Sequence, residues 1–366
     1  MLGWPRSHLD RGSPVRLEWR GHEGGITAIR NRPLHHILLL LCLSAIFLAP
    51  VPSLLAADAT LLLEPHGKPN GKNIVLISGD EEYRSEESLP QLAKILSTRH
   101  AFKCTVLFAI NPEDGTINPN KLDNIPGLEA LDTADLLVIL TRFRDLPDDQ
   151  MKHIVDYINS GKPIVGIRTA THAFQLKSSP TYAKYSWNDP GGGFGRMVLG
   201  ETWIKHHGQH GKQSTLGVFN PGLATHPILI GIHNRELWST TDVYEVRLPL
   251  PGDSNVLVLG EVLSGMDQKS PPAQGAVNDP MMPIAWVKTY TGSSGKTSRV
   301  FATTLGTSQD LLVEADRRLL INACYWALGM ERQIHANLNV ALVGTYQPHA
   351  FGFDGYVRGV KPADLR

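Results

Sequence analysis

Apolar and polar positions follow two rhythms along the chain. From Asn73 the residues run NIVLISG, a continuous apolar stretch closed by Gly79; from Glu86 to Arg99, Leu89, Leu92, Ile95 and Leu96 then share one helical face. This predicts strand, loop, helix. The pattern returns in CTVLFA (Cys104–Ala109), ADLLVIL (Ala134–Leu140), a helical period from Pro147 to Ser160, and PIVGI (Pro163–Ile167). Pro147 opens the second helix, where its missing N–H costs nothing, and Gly161 follows its end, where a left-handed residue is favoured. Strands that are apolar throughout are covered on both faces. The prediction is therefore an α/β fold: a three-layer, doubly wound, mostly parallel sheet of the flavodoxin kind, with flanking helices. Between Thr169 and Pro280 the segments SSPTY, NDPGGGFG, HHGQHGK and SPPAQG separate the shorter strands STLGVF and NVLVLGEVL. The rhythm resumes with PIAWVKTY, SRVFATTLG and a helix over Leu312–Leu328. Past Gly329 the chain is rich in glycine and aromatics, and a tail wrapping the surface is expected. There is no internal repeat.

The first 57 residues change the picture. Ile37–Leu48 (ILLLLCLSAIFL) is an uncharged run of a dozen, preceded by Arg30, Arg32, His35 and His36 and followed by SLLAAD. That suits the core of a signal peptide with an unusually long leading region, cleaved after Ala57; a membrane span needs ~20 apolar residues. Export to the periplasm or exterior is expected, with an uncleaved anchor as the alternative. The organisation read from the chain is a leader over 1–57, a linker over 58–72, one domain over 73–330 and a tail over 331–366.

With 42% hydrophobic and 19% charged residues among 366, the composition is that of an ordinary folded protein. Lys+Arg and Asp+Glu both number 35, so there is no broad basic field for a nucleic-acid backbone, and a small neutral ligand fits better. Of the three cysteines, Cys42 lies in the leader, while Cys104 and Cys324 sit in apolar surroundings (FKCTVLF, INACYWALG) expected to bury them as inert thiols.

Ligands of an open parallel sheet bind beyond the carboxyl ends of its strands. The loops there carry Asp80, Glu81, Glu82, Tyr83 and Arg84; Arg142 and Arg144; Arg168–Phe174; and Thr303–Asp310. Carboxylates, guanidinium groups, an aromatic and hydroxyls on one edge suit a polyol, so Asp80, Glu81, Tyr83, Arg84, Arg142 and Thr169 are the expected substrate-binding set. The turn Gly166–His172 occupies the position of a nucleophile elbow yet holds no Cys or Ser. Thr169 could attack only with an adjacent base, for which His172 three residues on is placed; His172 is better read as a general acid or base, a ligand-binding group or a metal ligand, beside Arg168. A second cluster is Glu201-Thr-Trp-Ile-Lys-His206-His207-Gly-Gln-His210. His206 and His210 have a helical i, i+4 spacing, but Gly208 and Gly211 argue for a loop. His207 is taken with His172 and Arg168 as the catalytic set. His206 and His210 are the expected ligands of a divalent metal such as zinc, with Glu201 or Asp80 completing the site. The run Gly191–Gly195 follows Pro190 rather than a strand and reads as a flexible turn, not a phosphate loop.

These segments together resemble the ThuA-like, or trehalose-utilisation, family of the class I glutamine-amidotransferase-like superfamily. The resemblance rests on PIVGIRTATHAF, FGRMVLGETWIKHH (Phe194–His207), THPILIGI, PIAWVKTY with RVFATTLG, and LLINACYWALG, in order over about Asn73 to Met330. Two positions depart from the family's elbow: Arg168 stands where a histidine is usual, and His172 where an acidic or polar group is usual. The resemblance implies a flavodoxin-like fold and a role in disaccharide or keto-sugar metabolism, as an isomerase, lyase or hydrolase, with metal in some members. Glutamine amidotransfer needs an elbow cysteine, and Thr169 and Ala170 stand there instead. A carbohydrate-binding protein without catalysis is the alternative reading.

Overall fold

The apolar runs become the strands of one large sheet. In chain order the first half supplies Thr60–Leu63 (β1), Asn73–Gly79 (β2), the helix Ser85–His100 (α1), Lys103–Phe108 (β3), Leu136–Thr141 (β4), the helix Asp148–Asn159 (α2) and Ile164–Ile167 (β5). The second half adds Lys205–His206 (β6), Thr215–Phe219 (β7), Trp238–Ser239 (β8), Tyr244–Glu245 (β9), Asn255–Val262 (β10), Met282–Thr291 (β11), Thr297–Thr303 (β12) and the helix Glu314–Ala327 (α3). The computed structural model describes residues 16–18, 20–21 and 59–366. The expected leader run and its cleavage point lie outside the described residues. Among these residues, no helix is long and apolar enough to cross a membrane.

The ten-stranded sheet has the order β1-β3-β2-β4-β5-β12-β11-β10-β7-β8. Its centre, β3-β2-β4-β5-β12, is parallel. Numbered among themselves these five strands run 2-1-3-4-5, the flavodoxin order, whose switch point falls between β2 and β4. Alternate residues of β2 serve opposite layers. Ile74 and Leu76 join Leu89, Leu92 and Leu96 of α1 and Leu319 and Ala323 of α3; Val75 and Ile77 join Met151, Ile154 and Ile158 of α2. Two-sided burial is what the unbroken apolar runs predicted.

Two expectations change. The stretch 58–72, read as a linker, carries β1, which pairs antiparallel with β3 at the sheet edge. PIAWVKTY and SRVFATTLG form an antiparallel hairpin, and β10, β7 and β8 extend the sheet antiparallel beyond it. The physical reason is the short link between β11 and β12: a parallel return needs a crossover of a dozen residues or more. Gly161 ends α2 with φ 64°, as its position suggested, and a Cβ there would lie 2.2 Å from the Lys296 carbonyl oxygen. Gly306, just after β12, has φ 141° and room for no Cβ, since Ile167 Cγ2 is 2.2 Å away. That contact lets the last loop press against the elbow.

Candidate functional site

The loop after β2 is shaped by its first side chain. Asp80 Oδ1 accepts the amides of Glu82 (2.7 Å) and Tyr83 (2.6 Å), an Asx-type turn that fans the following residues outward. Its other oxygen accepts the Thr169 hydroxyl of the elbow. Asp80 and Thr169 are therefore spent on each other, fully buried, and neither is free for substrate or metal as expected. Arg84 is also buried: its guanidinium donates to the carbonyls of Glu81 and Glu82 and to that of Gly352 in the tail. It braces the backbone instead of binding substrate. Glu81 is held by Arg142 and by Arg144, the latter at 2.5 Å. Burial raises its pKa against the pull of Arg144. Arg142 is the member of this set that reaches the surface, with its side chain 20% exposed, paired to Glu81 and, at 3.5 Å, to Glu82.

At the elbow, Arg168 has φ 42°, a left-handed conformation that costs a residue with a Cβ about 1–2 kcal/mol and marks a constrained turn. Its guanidinium lies between the rings of Tyr83 and Tyr244, 4.1 Å from each centroid. It donates to the Thr304 carbonyl and approaches Asp242 Oδ1 at 3.4 Å. Arg168 and Tyr83 are fully buried and packed on each other, where the expectation placed them as exposed groups at the ligand edge. His172 is buried too. Its ring sits 4.9 Å from those of Phe143 and Trp203, and its Nδ1 is 3.1 Å from the Thr171 hydroxyl. Burial drives its pKa well below the ordinary imidazole value, and the charges of Arg142 and Arg168 add to this. A neutral packing ring replaces the expected proton carrier.

The loop histidines separate. His207 turns away: its Nε2 is 2.6 Å from the Val277 carbonyl and its Nδ1 3.8 Å from Glu245, so it fastens the loop and does not join the cluster. His206 and His210 converge on one carboxylate. Asp242 Oδ2 lies 2.8 Å from His206 Nδ1, and Oδ1 lies 2.9 Å from His210 Nδ1. The second nitrogen of His210 is 3.1 Å from Glu82 Oε1. The side chains of His206 and His210 are 38% and 35% exposed, while Asp242 is buried. Burial alone would raise the Asp242 pKa, but two imidazole hydrogen bonds and the Arg168 charge outweigh it and hold the carboxyl far below its usual range. The same contest at Glu82, with His210 as chief partner, leaves its pKa lowered. His210, hydrogen-bonded to Asp242 and Glu82, has its pKa pushed up to about 9 and carries a proton on both nitrogens at neutral pH.

Asp242 is the member of this cluster that sequence reasoning missed. It lies 32 positions after His210, in STTDVYEV, where no spacing or motif marks it. The pairing of β6 with β9 delivers it: His206 stands opposite Tyr244, two residues past Asp242. Glu201, expected to complete a metal site, is taken by Arg196 and, at 2.8 Å, by Arg247. His206, His210 and Asp242 instead offer one donor atom each within 4.8 Å of one another. Trp203 covers one side of this group, its ring 5.8 Å from His206 and 5.9 Å from Trp187. The result is a part-exposed carboxylate–imidazole cluster with aromatic neighbours.

Among solved structures, the chain is similar to a ThuA-like protein from Parabacteroides merdae ATCC 43184, with 16% identity and a TM-score of 0.45 over 71% of this chain and 90% of that one. It also matches a cold-adapted β-galactosidase from Rahnella sp. R3, with 11% identity, TM-score 0.37, and 70% of this chain against 31% of that one. A third match is the exo-β-1,4-mannosidase Op5Man5 from Opitutaceae bacterium strain TAV5, with 10% identity, TM-score 0.30, and 72% against 36%. No curated protein matches the chain. The family model described as "ThuA: Trehalose utilisation" matches residues 74–327, which span the parallel core, the elbow and the histidine loop, and the chain belongs to that family.

Proposed function

We propose that the protein acts on a carbohydrate at the His206–His210–Asp242 cluster. The observation that carries this reading is the single buried carboxylate joined to two part-exposed imidazoles at 2.8 and 2.9 Å. Asp242 fixes the His206 proton on Nδ1 and leaves Nε2 as a base for a sugar hydroxyl. His210, protonated between Asp242 and Glu82, supplies a fixed positive charge beside that base. Arg168 keeps Asp242 ionised from behind and touches no ligand. The elbow offers no nucleophile, so covalent glycosyl or acyl transfer at that turn is not part of the reading.

In an alternative state, with the His210 proton displaced, His206, His210 and Asp242 are of the ligand types and spacing to hold a divalent ion such as zinc, which would polarise a sugar hydroxyl or carbonyl oxygen. The expected leader at 1–57 adds that this activity takes place outside the cytoplasm.

Calorimetric titration of the full chain with trehalose, alongside H206A and D242N, tests the assignment. Both variants should lose binding at least tenfold; H206A should melt within a few degrees of the parent, whereas D242N, which leaves the buried Arg168 guanidinium without its counter-charge, should melt lower. Unchanged binding in both would overturn it.

A further inference from the structure

We propose that the C-terminal strap supplies the outer wall of this site, with Phe353 as the ring platform that decides between a disaccharide and a single sugar. The inference rests on the carbohydrate reading above. Residues 349–354 lie beyond the family-wide segment 74–327, yet they reach the cluster. Phe351 stacks on Tyr83 at 5.5 Å and meets His210 edge-on at 5.4 Å. Gly352 donates its amide to the Glu82 carbonyl at 2.7 Å and accepts from Arg84. Two residues further on, Asp354 accepts from Asn120 Nδ2 at 2.7 Å.

Phe353 is thus anchored on both sides, and its ring nonetheless remains 57% exposed. A single exposed aromatic is ordinary on a protein surface; what sets Phe353 apart is that the backbone on both sides of it is tied down and that its ring faces a guanidinium of the site. One side is taken by the Arg142 guanidinium, 5.1 Å from the centroid, and Arg142 leads through Glu82 to His210 and Asp242. Exposure therefore rises outward from buried His172, through the half-exposed imidazoles, to Phe353 at the rim. A sugar ring bound at the imidazoles leaves a second, linked ring beside Phe353. The apolar face of a pyranose and an aromatic face are complementary, and the hydroxyls at its edge meet Arg142.

The test titrates trehalose and glucose separately into the full chain and into F353A, F353W and H206A, followed by tryptophan fluorescence and sedimentation. F353A should weaken trehalose about tenfold and glucose less than twofold, and F353W should restore trehalose to within about threefold. H206A should lose both sugars. If F353A binds both sugars like the parent while H206A loses them, the strap proposal falls and the site assignment stands. Equal losses of both sugars in F353A, or a change in its oligomeric state, would also overturn the proposal, the latter by making Phe353 a contact between chains. If the parent binds neither sugar, both readings fall.

Discussion

Single residues at this site show chemistry divided between holding and acting. Arg168 occupies the elbow that other folds give to a nucleophile, and here it is a buried cation between two tyrosine rings with Asp242 as its counter-charge. Removing one partner of a buried pair strands the other, so R168A should destabilise the protein by about 3–5 kcal/mol. R168K keeps the charge but not the planar stack or the fork geometry and should recover less than half of that loss. Urea unfolding followed by circular dichroism measures both, and an R168A protein as stable as the parent would contradict the role. The imidazoles at 206, 207 and 210 stand out in the sequence because they are near neighbours in it, and two of them, His206 and His210, converge on Asp242 while His207 does not. Asp80, Thr169, Arg84 and His172 were read as ligand groups because they are polar and lie in edge loops. Whether such a group faces solvent or another loop depends on partners 89 positions away, as between Asp80 and Thr169, or 268 away, as between Arg84 and Gly352.

At the scale of elements, helices α1 and α3 pack on one sheet face and meet through a titratable contact. His100, at the end of α1, lies 3.1 Å from the Tyr325 hydroxyl of α3. Burial lowers its pKa from the ordinary 6.5 to about 4. A histidine whose folded-state pKa is depressed contributes stability that is present above pH 6.5 and is lost as pH falls through 4, because the unfolded chain takes up the proton first. The parent should lose stability across pH 6.5 to 4 more steeply than H100Q, measured by urea midpoints at half-unit steps. Equal slopes would remove His100 as the cause. The strands and helices of the parallel core were legible because apolar runs and helical periods are local signals. The hairpin of β11 and β12 was legible only through the length of its link, and β6, β8 and β9, two residues each, have no period to read.

For the whole molecule, one observable reports the integrity of the layer that joins these elements. Cys104 in β3 and Cys324 in α3 are free and buried. Burial raises both thiol pKa values, that of Cys324 to about 12. Iodoacetamide should leave both unmodified in the native protein and label them at the rate of global unfolding, as peptide mapping in increasing urea would show. Rapid native labelling that abolishes sugar binding would refute the inert reading. The amino-acid sequence by itself determined the α/β class, the parallel core and the family, because burial on two faces and helical periodicity are written in consecutive residues. The tertiary structure alone decided which polar groups come together. It brought Asp242 between His206 and His210, turned His207 onto a backbone carbonyl, closed Arg168 and His172 into the interior, and laid Phe351 against Tyr83 and His210. Each of these outcomes is set by hydrogen-bond and packing partners distant in the chain, which no local pattern encodes.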